Sequence, residues 1–209
     1  RLIQFIISLV ESLFIKQADL VVTTGELDSE YLVKLYGLKN TLVQRNLPKY
    51  RIDFQPVNLY DKFKIPRGNK ILIYQGVILE GRGLPHIISA MDFLAGFSLV
   101  IAGGGMMSER YKNIAAKGKS ADRIIFTGPV EYKKLLNYTA SADLGICLIE
   151  NISFSYYYAL PNKMFEYMMT GTPALISNMP QMKKIVETYK TGVVTEMNSP
   201  EETAEEIKK

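Results

Sequence analysis

The chain has 209 residues, 47% hydrophobic and 22% charged, a balance that fits a globular protein with a buried core and excludes a disordered or collagen-like chain. Its net charge of +4 is mild, and apart from Lys133-Lys134, Lys183-Lys184 and Lys208-Lys209 the basic residues are scattered, so no nucleic-acid stripe is expected. The single cysteine, Cys147 in the apolar run LGICLI, excludes an intrachain disulfide framework, reads as a small buried hydrophobe and favours a cytosolic setting.

The chain enters RLIQFIISLVESLF directly, without a signal peptide's charged region or cleavage site, and Glu11 and Lys16 interrupt the run too early for a membrane span. It reads as a helix of a domain whose beginning is missing; an interfacial helix is the weaker alternative, because its polar face is poor in Lys and Arg. A strand follows at 18–24, a helix at 27–37 ending on Gly37, and a short strand at 41–46. The stretch 49–69, rich in proline and polar residues, has no sustained period and reads as a linker between domains.

From Lys70 onward, apolar strand-like runs at 70–76, 97–105, 123–129, 143–149, 173–177 and 192–196 alternate with helical patterns at 83–94, 106–117, 131–141, 162–170 and 180–189. A last helix begins at Ser199, with Glu202 completing a capping box. The alternation predicts an α/β, Rossmann-like parallel sheet with helices on both faces. In such a sheet ligands bind beyond the carboxyl ends of the strands, which restricts the search to the strand-to-helix loops.

The first loop, YQGVILEGRGL, sets Gly76, Gly81 and Gly83 around Arg82. Glycines permit close backbone approach and arginine can grip a phosphate with two prongs, but a flexible turn with a solvated arginine explains the stretch equally well. Gly103-Gly104-Gly105 precede a helix without forming a dinucleotide fingerprint, since Ser108 stands where the third glycine would be; a tight turn explains them first and close approach of a ligand second. The turn at Gly128 in FTGPV reads the same way. The longest loop carries Tyr156 to Tyr158 and leads into LPNKMFEYMMTG, where Pro161 and Asn162 start a helix. Met164, Phe165, Met168 and Met169 read as its apolar face, with Lys163 and Glu166 on the opposite one.

Lys163 is a cation at a helix N-terminus, an unfavourable place worth about 0.3–1 kcal/mol at an exposed site. Either it forms a surface pair with Glu166, or the helix N-terminus and Lys163 together hold an anion while Glu166 accepts hydroxyl groups one turn along. The second layout matches a sugar nucleotide: diphosphate, then ribose diol. His86 is the only histidine, and no spacing of Cys, His or carboxylates suggests a metal site.

Taken in order, ADLVVTTGELDSEYLVKLYG, VQRNLP, KILIYQGVILEGRGL, LVIAGGG, IIFTGPV, ADLGICLI, LPNKMFEYMMTGTPALIS and TGVVTEMNSPEETAEEI resemble the retaining glycosyltransferases of family 4 (group 1), which have the two-domain GT-B fold. The resemblance implies that 1–48 closes the N-terminal, acceptor-side domain and that 70–209 is the C-terminal, nucleotide-sugar-binding domain. It implies transfer of a sugar from a UDP-, GDP- or ADP-sugar to a hydroxyl of a glycan or lipid-linked acceptor, with retention and without a bound metal or other cofactor. Arg82 and Lys163, with amides near Asn162, would stabilise the departing diphosphate; Glu166 would bind ribose; Gly76 and Gly104 would line the donor site, and Gly128 would lie near the base. The sequence departs from the family at Val77, where an arginine is usual, and at Tyr158, where the first of two paired glutamates is usual.

The implied role is polysaccharide biosynthesis in the cytoplasm, with peripheral association at the inner face of the membrane as an option. With only the end of the acceptor-side domain present, the chain alone is expected to bind nucleotide without transferring sugar. A non-catalytic nucleotide-binding module and a sugar-nucleotide epimerase of the same fold are the alternatives.

Overall fold

The computed structural model describes residues 2–209 and divides into two compact units, one up to Leu47 and one from Pro48 to Lys209. In the smaller unit, helix α1 (Leu2–Phe14) is followed by strand β1 (Val21–Thr23), helix α2 (Glu26–Tyr36) and strand β2 (Thr41–Val43). The two strands pair in parallel. Gly37 ends α2 in the left-handed region at φ 67°, its N–H donating to Val33 O at 2.8 Å, the geometry for which glycine is favoured. No residue of α1 is buried, and Leu2, Ile3, Phe5, Ile7 and Phe14 are well exposed.

The larger unit opens with α3 (Leu59–Phe63), a short helix within the stretch read as a linker. Asn58 caps it by accepting the Asp61 N–H at 3.1 Å, and Leu59 and Ile65 are buried against Ile71 and Val100. The stretch therefore belongs to this unit's packing from Val57 onward; its apolar residues are too irregularly spaced to register as a period.

The remaining elements are β3 (Lys70–Gln75), α4 (Leu84–Ala90), β4 (Phe97–Ala102), α5 (Ser108–Ala115), β5 (Ile124–Gly128), α6 (Tyr132–Thr139), β6 (Leu144–Cys147), α7 (Phe154–Tyr157), α8 (Asn162–Thr170), β7 (Ala174–Ser177), α9 (Pro180–Tyr189), β8 (Gly192–Thr195) and α10 (Pro200–Lys208). The sheet runs β5-β4-β3-β6-β7-β8, with every pairing parallel. Alternate residues of each strand point to opposite faces. Leu72, Leu99, Ile101 and Ile146 pack with α4, α5 and α10, whereas Ile73, Cys147 and Ile176 pack with α8 and α9. Each such apolar side chain contributes about 1.5–3 kcal/mol when fully buried, which is why these strands read as continuous apolar runs. Helices α4, α5 and α6 begin one or two and end two to four residues inside the sequence limits, α8 and α9 match them, α2 lies one residue earlier, and α10 starts as expected, with Ser199 Oγ accepting the Glu202 N–H at 3.1 Å.

Candidate nucleotide site at the strand ends

Glycines join the ends of β3, β4 and β5. The Gly76 N–H donates to Ala102 O and the Ile78 N–H to Gly104 O, both at 3.0 Å, so the loop after β3 lies against the loop after β4. A Cβ on Gly103 would come within 1.9 Å of Gly76 O, and one on Gly105 within 2.3 Å of Ile78 O. The Gly103 N–H also donates to Gly128 O at 3.0 Å. Gly76, Gly104 and Gly128 thus sit on three adjacent strand ends. Gly103 and Gly105 are required by this loop-on-loop contact, while a Cβ on Gly104 would meet Pro129 at 3.1 Å.

Arg82 is set between Gly81 and Gly83, both in the left-handed region. Glu150, just after β6, clamps that turn: its N–H donates to Gly81 O at 3.0 Å, and its Oε1 accepts the Gly83 N–H at 3.1 Å. The guanidinium lies 5.0 Å from the centre of the Tyr156 ring, a cation–π contact that limits where the long side chain goes.

Helix α8 is seated by Tyr167, whose hydroxyl reaches Ile73 O at 3.2 Å and Ile146 O at 3.1 Å. The ring crosses β6 at Gly145, where a Cβ would come within 2.6 Å of it. This seating corrects the expected helix face. Lys163, Met164, Glu166 and Tyr167 are the buried residues, whereas Phe165, Met168 and Met169 are only partly covered. Residues three and four apart share a face, so the face that carries Tyr167 onto the strand ends carries Lys163 and Glu166 there too.

Lys163 and Glu166 are 8% and 6% exposed, which removes the surface-pair reading. Lys163 Nζ lies 3.7 Å from the centre of the Tyr74 ring and has no hydrogen-bond partner among the described residues. Burial lowers its pKa to about 8, nearby Arg82 pushing further in that direction while Cys147 and Glu166 oppose it. Burial raises the Glu166 pKa, against donors from Gln75 and Tyr132 and the charge of Lys163. Asn162, by contrast, is exposed in the first turn of α8, whose N-cap Pro161 supplies no capping side chain. An uncapped N-terminus leaves backbone N–H groups available to an anion.

Arg82, Lys163 and Glu166 therefore converge around Tyr74 and Gln75 at the end of β3, with Gly76 next in the chain. Sequence reasoning missed Tyr74, Gln75, Tyr132, Thr139 and Tyr156. Gln75 carried a signal, a glutamine closing an otherwise apolar strand run. Tyr158 packs edge-on against Tyr157 with ring centres 5.0 Å apart, and its carbonyl accepts from Gln181 Nε2 at 2.6 Å. His86 is a packing residue, its Nε2 2.8 Å from Thr203 Oγ1. Cys147 is fully buried, and burial raises its thiol pKa to about 11.

A separate cleft of about 620 Å³ lies at the ends of β6, β7 and β8, lined by His86, Glu150, Asn178 and Glu196 among others, and contains none of the expected site residues. Among the described residues no three His, Cys, Asp or Glu side chains form a metal-binding group, and no helix is long and apolar enough to cross a membrane.

Three solved structures show the same fold. Sucrose-phosphate synthase from Thermosynechococcus elongatus matches with a TM-score of 0.81 and 21% identity, over 96% of this chain and 51% of that one. Anabaena Alr3699/HepE, solved in complex with UDP-glucose, matches with a TM-score of 0.70 and 17% identity, over 91% and 53%. WaaG, a glycosyltransferase involved in lipopolysaccharide biosynthesis, matches with a TM-score of 0.68 and 16% identity, over 90% and 52%. The chain thus spans about half the length of the structures it matches. No curated protein matches it in sequence. The model of the family described as glycosyl transferases group 1 matches residues 58–209, the part that holds the glycine-joined strand ends, Arg82 and the buried face of α8. The chain belongs to that family, and its parallel sheet is that of a GT-B glycosyltransferase domain.

Proposed function

We propose that this chain holds the nucleotide-diphosphate part of a sugar donor at the ends of β3 to β6, and that the protein transfers the sugar to an acceptor hydroxyl with retention. The observation that carries the reading is Lys163, a buried ammonium without a hydrogen-bond partner among the described residues, beside Arg82 and an uncapped helix N-terminus. An isolated buried charge is costly, and a diphosphate is the kind of partner that offsets it. As the bond to the sugar breaks, negative charge grows on the diphosphate. Fixed cations and backbone amides aimed there lower the barrier electrostatically. In this reading Arg82, Lys163 and the amides near Asn162 take that role, Glu166 binds the ribose, and the turns at Gly104 and Gly128 face the sugar and base. The family membership and a similar structure solved with UDP-glucose support a nucleotide-sugar donor.

The test is a thermal-shift panel of UDP, GDP, ADP and their sugars. A matching ligand raises the melting temperature by mass action, and Glu166→Ala diminishes the rise. A panel without any shift, or an undiminished shift in that variant, would overturn the site. Tyr158, in place of the family's first glutamate, favours one competing reading, a nucleotide-binding module without catalysis. Hydrolysis of the bound donor sugar distinguishes the two.

A further inference from the structure

Gln75 is the last residue of β3 and fully buried, in a strand otherwise made of Ile, Leu and Tyr after Lys70. A primary amide in that position must have both ends satisfied. Its Oε1 accepts from the Thr139 hydroxyl at the end of α6, and its Nε2 donates to Glu166 Oε2 at 2.5 Å. Thr139 is itself fully buried and held in place, its carbonyl accepting the Thr172 hydroxyl at 2.9 Å. The Tyr132 hydroxyl, from the start of α6, faces the same carboxylate and favours its ionised form. An ionised carboxylate has about four acceptor sites, so the Gln75 donor leaves room for ligand hydroxyls. The Thr139 hydroxyl also lies 3.0 Å from Leu135 O, and Thr139 and the carboxylate, which accepts only from the amide nitrogen, together fix which end of the amide faces Glu166, so the carboxylate loses its freedom to rotate about its terminal bond.

We propose that Gln75, oriented by Thr139, is the positioning residue that aims Glu166 at the ribose diol and thereby sets a preference for ribonucleotides over 2′-deoxyribonucleotides. The inference rests on the ribose reading of Glu166 given above. Gln75 acts through Glu166 and touches no reacting atom. A hydrogen bond to a charged group contributes about 1.5–3 kcal/mol, so the ribose preference should be about tenfold or more.

The test measures dissociation constants of the 209-residue chain for UDP, GDP and ADP, each beside its 2′-deoxy counterpart, and for inorganic pyrophosphate. Wild type should favour the ribonucleotide by about tenfold or more. Gln75→Leu and Thr139→Val should bring the ratio towards one while leaving pyrophosphate affinity unchanged. A merely structural contribution would weaken all ligands together and leave the ratio intact. Thr139→Val, nearly isosteric, carries the test if Gln75→Leu fails to fold. Glu166→Ala is measured in parallel. If Glu166→Ala collapses the ratio and the two other variants keep it, the inference falls alone. If Glu166→Ala keeps the ratio, or wild type shows none, the ribose reading falls and the inference with it.

Discussion

At the scale of one residue, the role proposed for Lys163 sets stability against ligand binding. Its pKa falls from 10.5 to about 8 mainly because burial penalises the ammonium, which corresponds to a cost of roughly 3 kcal/mol to the free protein at neutral pH. The unfolded chain holds this proton more tightly, so between about pH 8 and 10.5 it binds more protons than the folded one, and this contribution to stability improves as pH rises. Lys163→Met should therefore stabilise the free protein at pH 7 by about 1–3 kcal/mol, because an apolar side chain replaces an uncompensated buried charge. That gain should shrink as pH rises through about 8 towards 10.5, read from denaturant midpoints of both proteins. The same substitution should abolish nucleotide binding. In wild type, affinity for UDP or GDP should begin to fall as pH rises through about 8, and calorimetry should show proton uptake on binding at pH 8 to 9, since a bound anion favours the charged amine.

At the scale of elements, the site depends on loops locked together by glycines. Gly103→Ala places a Cβ 1.9 Å from Gly76 O, so the ends of β3 and β4 must separate. A loss of about 3 kcal/mol or more is expected by urea unfolding, at the upper end of ordinary substitutions. Gly68→Ala, with open space at its Cβ and no left-handed backbone, should be neutral within about 0.5 kcal/mol. Gly145→Ala pushes against the Tyr167 ring and should disturb the seating of α8, reducing nucleotide affinity without touching a site residue. Helix α8 also shows why its orientation escaped the sequence. Apolar residues at 164, 165, 168 and 169 look like a core-facing stripe, yet of these only Met164 is buried, and Lys163 and Glu166 are buried with it. A periodicity argument assumes that polar side chains face water, and strand ends that gather charge break that assumption.

At the scale of the molecule, the three apolar clusters of the larger unit lie entirely within residues 57–207. A chain of residues 48–209 should accordingly unfold cooperatively and keep its nucleotide affinity, checked by urea denaturation and calorimetry. Among the described residues up to Leu47 no large hydrophobic side chain is buried and only two paired strands form, too little for independent stability, so a peptide of 1–47 should show no cooperative transition by circular dichroism. The exposed apolar residues of α1 should make the 209-residue chain bind a hydrophobic dye more strongly than 48–209 does.

The order of strands and helices, the parallel sheet and the loops that carry the candidate residues follow from the sequence by itself, because fully buried strands read as apolar runs and glycines mark their ends. Lys163, Glu166 and Arg82 were also legible as candidates, since their side-chain chemistry and their places beside turns are local properties. What only the tertiary structure decided is that Lys163 and Glu166 are buried together beside Tyr74 and Gln75, that Gly103 and Gly105 serve loop contact, and that Gln75 and Thr139 hold Glu166. Those facts join residues 64 and 91 positions apart in the chain, and no local pattern encodes a hydrogen bond that forms only once β3, α6 and α8 have packed.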